Sequence, residues 1–390
     1  MNRIVPGLLL LFVLAPFAFT QNSQSRAPQA SSNAAQMPVL NPATAVAMIE
    51  RLELQEAKVA LRERAGWSQP RRIGLVSTPI IRFTETQRQH YQQVAGNVEV
   101  IVVDGLSDPG IASIDGAIGY CTPELLGAAP QLRWLHNLGA GMDRCSFMSD
   151  FAKLKVIITN GQRTSGPTIA EHAIAMMMML TRGLNYFHGN QANGVWVRQL
   201  PEGRRIIDVE GKTLLVAGLG GVGTEIARRG AGLGMRVIAT RNSSRTGPPY
   251  VAYVGLSDEL LKLAAQADVI INALPLTPAT QGVFNNAFFD AVPRGAFFIN
   301  IARGQTTDTN ALVAALKDGR LAGAGLDALD PEPLPPTHEL WRLPNVVISP
   351  HVSSATSESG SRQWLVSLEN LRRYVSGERL LSVVDLAAGY

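Results

Sequence analysis

Histidine and cysteine are scarce in this 390-residue chain, with six and two residues respectively. The two cysteines, Cys121 and Cys145, lack metal-ligand spacing, so no structural metal is indicated. No long run of lysine or arginine occurs. The net charge of +4 comes from scattered cations without interleaved aromatics, which leaves nucleic-acid binding without support. A comfortable membrane span is lacking too: the apolar run at residues 4–19 is short and is interrupted by Pro6 and Pro16.

That run has the layout of a secretory signal. Arg3 precedes it, small residues lie near its end, and a Gln/Ser/Asn/Pro-rich stretch follows at residues 21–38. No twin arginine appears, and no cysteine that could accept a lipid follows. We therefore expect a signal peptide at residues 1–20 and a polar linker at 21–41. The expected location is periplasmic or secreted, with a signal anchor or a cytoplasmic protein as the alternatives.

Beyond the leader, 46% hydrophobic content and 36 glycines fit a loop-punctuated α/β enzyme. Residues 42–64 have a helical pattern, with Val46, Ile49, Leu52 and Val59 on roughly one face. Strand patterns follow at 72–77, 98–103, 116–119, 132–137 and 156–159, with helical stretches such as 84–95 and 123–128 between them. This alternation predicts a parallel sheet. Pro167 and the spacing Thr168-x-x-Glu171 predict a helix start with a capping box. The methionine-rich run at 176–180 is apolar all round and reads as core, not as a metal or cofactor box.

The most informative stretch comes next. An apolar strand pattern at 213–217 feeds into Gly218-Leu-Gly220-Gly221-Val222-Gly223, and a helical pattern follows at 224–231. In a strand–turn–helix context Gly218 makes the tight turn, Gly220 admits a pyrophosphate, and Gly223 lets helix pack on strand. The phosphates would meet free N–H groups at the helix N-terminus. After the next strand, 235–240, an NAD-binding chain usually carries a carboxylate for the ribose. Here the residues are Arg241, Asn242, Ser243, Ser244 and Arg245. Guanidinium and short donors suit a 2′-phosphate, so NADP(H) is favoured and NAD(H) is possible. The bland alternative is a solvated basic loop.

Further strands at 269–273, 296–301, 323–326 and 346–349 complete a nucleotide domain inserted into the first α/β domain. We expect substrate-domain residues at 42–165, the dinucleotide domain at 166–351, and a C-terminal segment, 352–390, whose helix at 358–376 returns to the first domain. The fold class is α/β: two doubly wound parallel-sheet domains, with a Rossmann domain inserted into a flavodoxin-like one. Arg303, Glu332 and His351 each follow a strand, and in an open parallel sheet the carboxyl ends of strands face the ligand crevice. Arginine clamps a carboxylate with two hydrogen bonds, and histidine can donate a proton to a nascent alkoxide. A carboxylate on the other ring nitrogen orients the imidazole and favours its protonated form. These groups suit hydride transfer to a 2-keto acid. Taken singly, each could equally be an ordinary surface or loop residue.

From about residue 73 to the end, the chain resembles the D-isomer-specific 2-hydroxyacid dehydrogenase family. The resemblance is carried by Asn137-Leu-Gly139-Ala140-Gly141-Met-Asp143, by residues 160–172, by the glycine fingerprint and by Leu274-Pro275-Leu-Thr-Pro-Ala-Thr280. It is completed by Asn300-Ile301-Ala302-Arg303-Gly304, Leu326-Asp327 with Glu332-Pro-Leu-Pro, and Ser349-Pro-His351. The resemblance implies Arg303, Glu332 and His351 as the catalytic set. It implies Gly139, Ala140, Gly141 and Arg303 as holders of the substrate carboxylate. The cofactor cleft would be lined by Thr168, Gly218, Gly220, Gly221, Val222, Gly223, Arg241, Asn242, Ser243, Leu274, Pro275, Thr280, Ile301, Ala302 and Asp327. Asp327 would contact the nicotinamide carboxamide. A homodimer and a small 2-keto acid substrate, glyoxylate or hydroxypyruvate, are also implied, with the pocket shaped near Tyr120 and Cys121.

Two small departures occur: Thr309 stands where the family usually has an acidic residue, and Ala328-Leu329 replaces Val-Phe. The leader is the larger one, because a soluble reduced cofactor is expected inside the cell. The alternatives are a nucleotide-sensing regulatory protein on the same scaffold, like the C-terminal-binding corepressors, and an exported protein whose ancestral activity is idle.

Overall fold

Two parallel sheets organise the computed structural model, which describes Pro38, residues 40–79 and residues 81–390. The expected signal peptide, and the linker up to residue 37, lie outside the described residues. The first sheet contains β1 (Arg72–Val76), β2 (Glu99–Val103), β3 (Gly116–Gly119), β4 (Trp134–Asn137) and β5 (Ile157–Asn160). Its order, β2-β1-β3-β4-β5, is the flavodoxin-like arrangement. The second contains β6 (Thr213–Ala217), β7 (Arg236–Thr240), β8 (Tyr253–Gly255), β9 (Val269–Asn272), β10 (Ala296–Asn300), β11 (Leu321–Leu326) and β12 (Val346–Ile348). Its order is β12-β11-β10-β9-β6-β7-β8, with the topological reversal between β6 and β9. Every pairing is parallel. Helices therefore cover both faces, and central strands such as β9 and β10 are buried along their whole length.

Two crossings join the sheets, one after β5 and one after β12. They touch where Ser165 Oγ lies 2.7 Å from Ser359 Oγ. The final helix, Ser357–Val375, packs on the first sheet: the Tyr374 ring stacks on Trp134 at 4.5 Å, and its hydroxyl donates to the Asp115 carbonyl. On the same strand as Trp134 and opposite Thr159 of β5, His136 is fully buried, and burial drives its pKa down to about 3. It is a neutral core histidine, outside the chemistry.

Three expectations change. The helix expected over 42–64 stops at Leu52, because Glu53 adopts a left-handed backbone (φ 49°), and a short 3-10 turn, Leu61–Glu63, follows. Its buried face is Ala45, Met48 and Leu52, whereas Val46 and Val59 are exposed. The Thr168–Glu171 capping box does not form. Ser165 is the N-cap residue of helix Gly166–Thr181, Thr168 accepts from Arg362, and Glu171 pairs with Arg229. A long-range cation thus outcompetes the local cap. Strand β8 was not foreseen, since its three residues are too few for a period-2 signal.

Candidate active site

The dinucleotide fingerprint sits at the reversal of the second sheet. Gly218 turns the chain out of β6 at φ 98°, with the Ala273 carbonyl 2.8 Å from where a β-carbon would stand. A β-carbon at Gly223 would lie 2.0 Å from the Gly218 carbonyl oxygen, so helix and turn pack backbone to backbone there. Gly220 precedes helix Gly221–Gly232 in extended conformation, faces open space, and no side chain caps that helix. Its first N–H groups, including those of Gly221 and Val222, are left for an anion. A dinucleotide pyrophosphate fits this cradle.

The loops around it are held by their own hydrogen bonds. Asn272 Oδ1 accepts from Leu274 N–H, and Thr280 Oγ1 donates to the Pro275 carbonyl at 2.6 Å. The buried Ile301 and Ala302 follow β10, with Asn300 Oδ1 accepting from Ala302 N–H. After β7, Arg241 donates to the Thr246 carbonyl, Asn242 is exposed near Tyr390, and Ser243 is exposed. Arg245 points elsewhere. Its Nη1 meets Glu259 and Tyr253 Oη, and the Leu256 N–H, followed by Tyr253 and Arg245, lowers the Glu259 pKa to about 2.

The substrate-side residues converge from both domains. The loop after β4 has all its carbonyls tied inward. Asn137 Nδ2 donates to those of Gly139 (2.8 Å) and Gly141 (3.1 Å), and Asn160 Nδ2 to that of Ala140 (2.8 Å). Among the described residues, the N–H groups of Gly139, Ala140 and Gly141 have no protein acceptor. Arg303, from the end of β10, lies directly on this loop: a β-carbon at Gly141 would be 2.2 Å from its Nη2. Its Nε donates to Asp143 Oδ1 at 3.1 Å, Nη2 lies 3.0 Å from the same oxygen, and Nη1 donates to the Ala302 carbonyl. A guanidinium has five N–H donors, so both terminal nitrogens keep one for an anion. Free backbone donors plus a half-committed fork make a carboxylate-shaped site.

His351 follows β12, which β11 separates from the strand that carries Arg303. Its Nδ1 is 2.9 Å from Glu332 Oε2, while Glu332 Oε1 accepts from Leu329 N–H. The carboxylate thus fixes the ring tautomer, and no protein group among the described residues bonds Nε2. The backbone of His351 is left-handed, φ 55°. Asp327 holds it there: its carbonyl accepts from His351 N–H, and its carboxylate accepts from Ser349 Oγ, Val352 N–H and Ser353 N–H. Burial pushes the Asp327 carboxyl up, but these hydrogen bonds outweigh it and keep the group below the usual carboxylate range. Asp327 is the residue expected to touch the nicotinamide carboxamide; its carboxylate also braces the turn that carries His351. Thr168, likewise expected in the cofactor cleft, sits at the crossing of the two connections beside Thr356.

Three residues had no role assigned from sequence. Asp143 belonged to a quoted motif, and its position two residues beyond a glycine loop was the available signal. His172 Nε2 lies 2.8 Å from Ser349 Oγ, extending the Asp327 network. Asn137, which shapes the loop, offers no local signature.

Comparisons with known proteins give the family. Residues 174–353 match the model for the D-isomer specific 2-hydroxyacid dehydrogenase NAD binding domain. A glyoxylate reductase of Korarchaeum cryptofilum is 34% identical over 259 residues, 65% of this chain and 76% of that protein. An NADPH-dependent glyoxylate/hydroxypyruvate reductase of Sinorhizobium meliloti, solved with NADP and sulfate, superimposes with a TM-score of 0.66 at 27% identity, covering 82% of this chain and 99% of that one. A D-lactate dehydrogenase of Aquifex aeolicus, solved with NAD and lactic acid, shares the fold at 22% identity and a TM-score of 0.64, covering 78% and 96%. With two parallel-sheet domains, the glycine fingerprint and these relatives, the chain belongs to the D-isomer specific 2-hydroxyacid dehydrogenase family.

Proposed function

We propose that this protein reduces a small 2-keto acid of the glyoxylate/hydroxypyruvate class to the D-2-hydroxy acid, with NADPH preferred over NADH. The observation that carries the reading is Arg303 lying on a loop whose three N–H groups lack protein acceptors. When bound, the reduced nicotinamide supplies the hydride. The chain's own residues do the rest. Arg303 and the 139–141 loop hold the carboxylate and so orient the carbonyl, His351 Nε2 delivers a proton to the carbonyl oxygen, and Glu332 keeps the ring in the donating orientation. Kinetics with a panel of 2-keto acids and both cofactors test this. Turnover with none of them would favour a nucleotide-sensing protein on the same scaffold.

Cofactor preference is assigned to Arg241 with help from Asn242, Ser243 and Ser244. Arg245 has the lesser part, because its Nη1 is already shared by Glu259 and Tyr253. Arg241→Asp removes a cation and adds repulsion, so preference should swing toward NADH by about 1.5–3 kcal/mol, the scale of a charge-assisted hydrogen bond. Equal or better use of NADH by the unmodified enzyme would sink the assignment.

We also read the protein as exported. Besides the leader, Cys121 and Cys145 form a buried disulfide, and such bonds persist in oxidising compartments. Cell fractionation should find a chain lacking residues 1–20 outside the cytoplasm; an intact chain confined to the cytosol would refute export.

A further inference from the structure

The Cys121–Cys145 bond closes a ring of chain around the substrate loop. Cys121 follows β3 and Tyr120, while Cys145 lies in the short helix Asp143–Ser146 that follows the loop. Between them run β4, the 139–141 loop and Asp143. The bond spans 5.9 Å between α-carbons, and both cysteines are buried, at 2% and 0% exposure.

Each end of the bond bears on an atom of the carboxylate site. The Cys121 N–H donates to Asn137 Oδ1 at 2.9 Å, and Asn137 in turn holds the Gly139 and Gly141 carbonyls. Tyr120 lies beside the loop, 3.5 Å from where a β-carbon at Gly139 would stand, and its ring carries the Arg144 guanidinium at 5.2 Å. At the other end, Cys145 is two residues from Asp143, which grips Arg303 across the interdomain cleft. Among the described residues, no hydrogen bond joins Tyr120, Cys121, Arg144 or Cys145 to the pyrophosphate cradle, which stands on the second sheet.

We propose that Cys121 and Cys145 are positioning residues for the carboxylate site: their disulfide sets the 139–141 loop and Asp143 against Arg303, so substrate affinity depends on oxidation while cofactor binding does not. This rests on the proposed carboxylate site. The bond forms by exchange with a disulfide-bearing thiol oxidoreductase: the protein's two thiols lose two protons and two electrons, the oxidant's S–S bond breaks, and two thiols are released on it. Burial then shields the bond from small reductants. A chain that misses export would carry two thiols and a looser loop.

The test compares the full-length protein in its disulfide form with the dithiol form made under reducing conditions, each verified by thiol alkylation and mass spectrometry, and with Cys121→Ser/Cys145→Ser. KM for glyoxylate should rise about tenfold in the dithiol form, the scale of a sub-ångström misplacement of binding groups. The expected kcat changes little, the dissociation constant for NADPH is unchanged, and reoxidation restores KM. Amide hydrogen exchange over residues 138–147 should speed up in the same samples, and this readout stands even if glyoxylate is not turned over. If the double variant does not fold, the dithiol wild type carries the comparison. Unchanged exchange in the loop, or an NADPH affinity that falls in step with substrate affinity, would overturn the proposal. Loss of turnover in the disulfide form with the exchange difference intact would count against the proposed reaction instead.

Discussion

His351→Ala lowers kcat for keto-acid reduction by about 10²–10⁴, the usual worth of a positioned general acid, and leaves NADPH binding intact. The ring nitrogen facing Glu332 is spoken for at 2.9 Å, so only Nε2 is available to a substrate oxygen. Removing the ring removes that donor and nothing in the cofactor cradle, which stands on β6 and the helix after it. Glu332→Gln should act more mildly. An amide can still meet Nδ1 but no longer supports a charged ring, so kcat falls while KM for the keto acid holds. Single-turnover kinetics with NADPH fluorescence separate the two effects. A fully active His351→Ala would overturn the mechanism.

Arg303→Gln should lower kcat/KM by roughly 10²–10³, near the lower end of the 3–5 kcal/mol typical of breaking a buried charged pair, because Arg303 and Asp143 are only partly buried. Two groups are stranded at once. The substrate carboxylate loses its fork, and Asp143, which sits 3.0 Å from Nη2, is left as an unpaired negative charge beside the loop that should attract an anion. Arg303→Lys should also be poor, because an ammonium cannot serve Asp143, the Ala302 carbonyl and a substrate carboxylate in one plane. Asp143→Asn in the Arg303→Gln background should recover part of the loss by removing the stranded charge. Steady-state kinetics of the three variants decide this, and wild-type kinetics in Arg303→Gln would place the carboxylate elsewhere.

Local pattern was enough to read the alternation of strands and helices, because apolar runs of four to six residues bounded by glycine and polar turns state a parallel strand without reference to the rest of the chain. The same holds for the fingerprint in part: Gly223 is demanded by the Gly218 carbonyl five residues back, whereas Gly218 is hemmed in by Ala273 from the neighbouring strand end. It does not hold where a partner arrives from afar. The Thr168 cap was a sound local expectation until Arg362, 194 residues later, took the hydroxyl. That Arg245 shares its Nη1 with Glu259 was likewise out of local reach. That Asp327 also braces the His351 turn was equally out of local reach, since its partners lie 22–26 residues on.

The amino-acid order by itself therefore determined the two-sheet α/β architecture, the nucleotide turn and the strand ends that carry Arg303, Glu332 and His351. Tertiary structure alone decided that Arg303 crosses to Asp143, 160 residues away, and that Cys121 and Cys145 meet around the loop between them. The physical reason is one of range. Periodicity and turn chemistry act over a few residues, whereas Cys121 meets Cys145 only once β3 and β4 pair, and Arg303 meets Asp143 only once the crossings after β5 and β12 bring the loops after β4 and β10 together; no local signal encodes either approach.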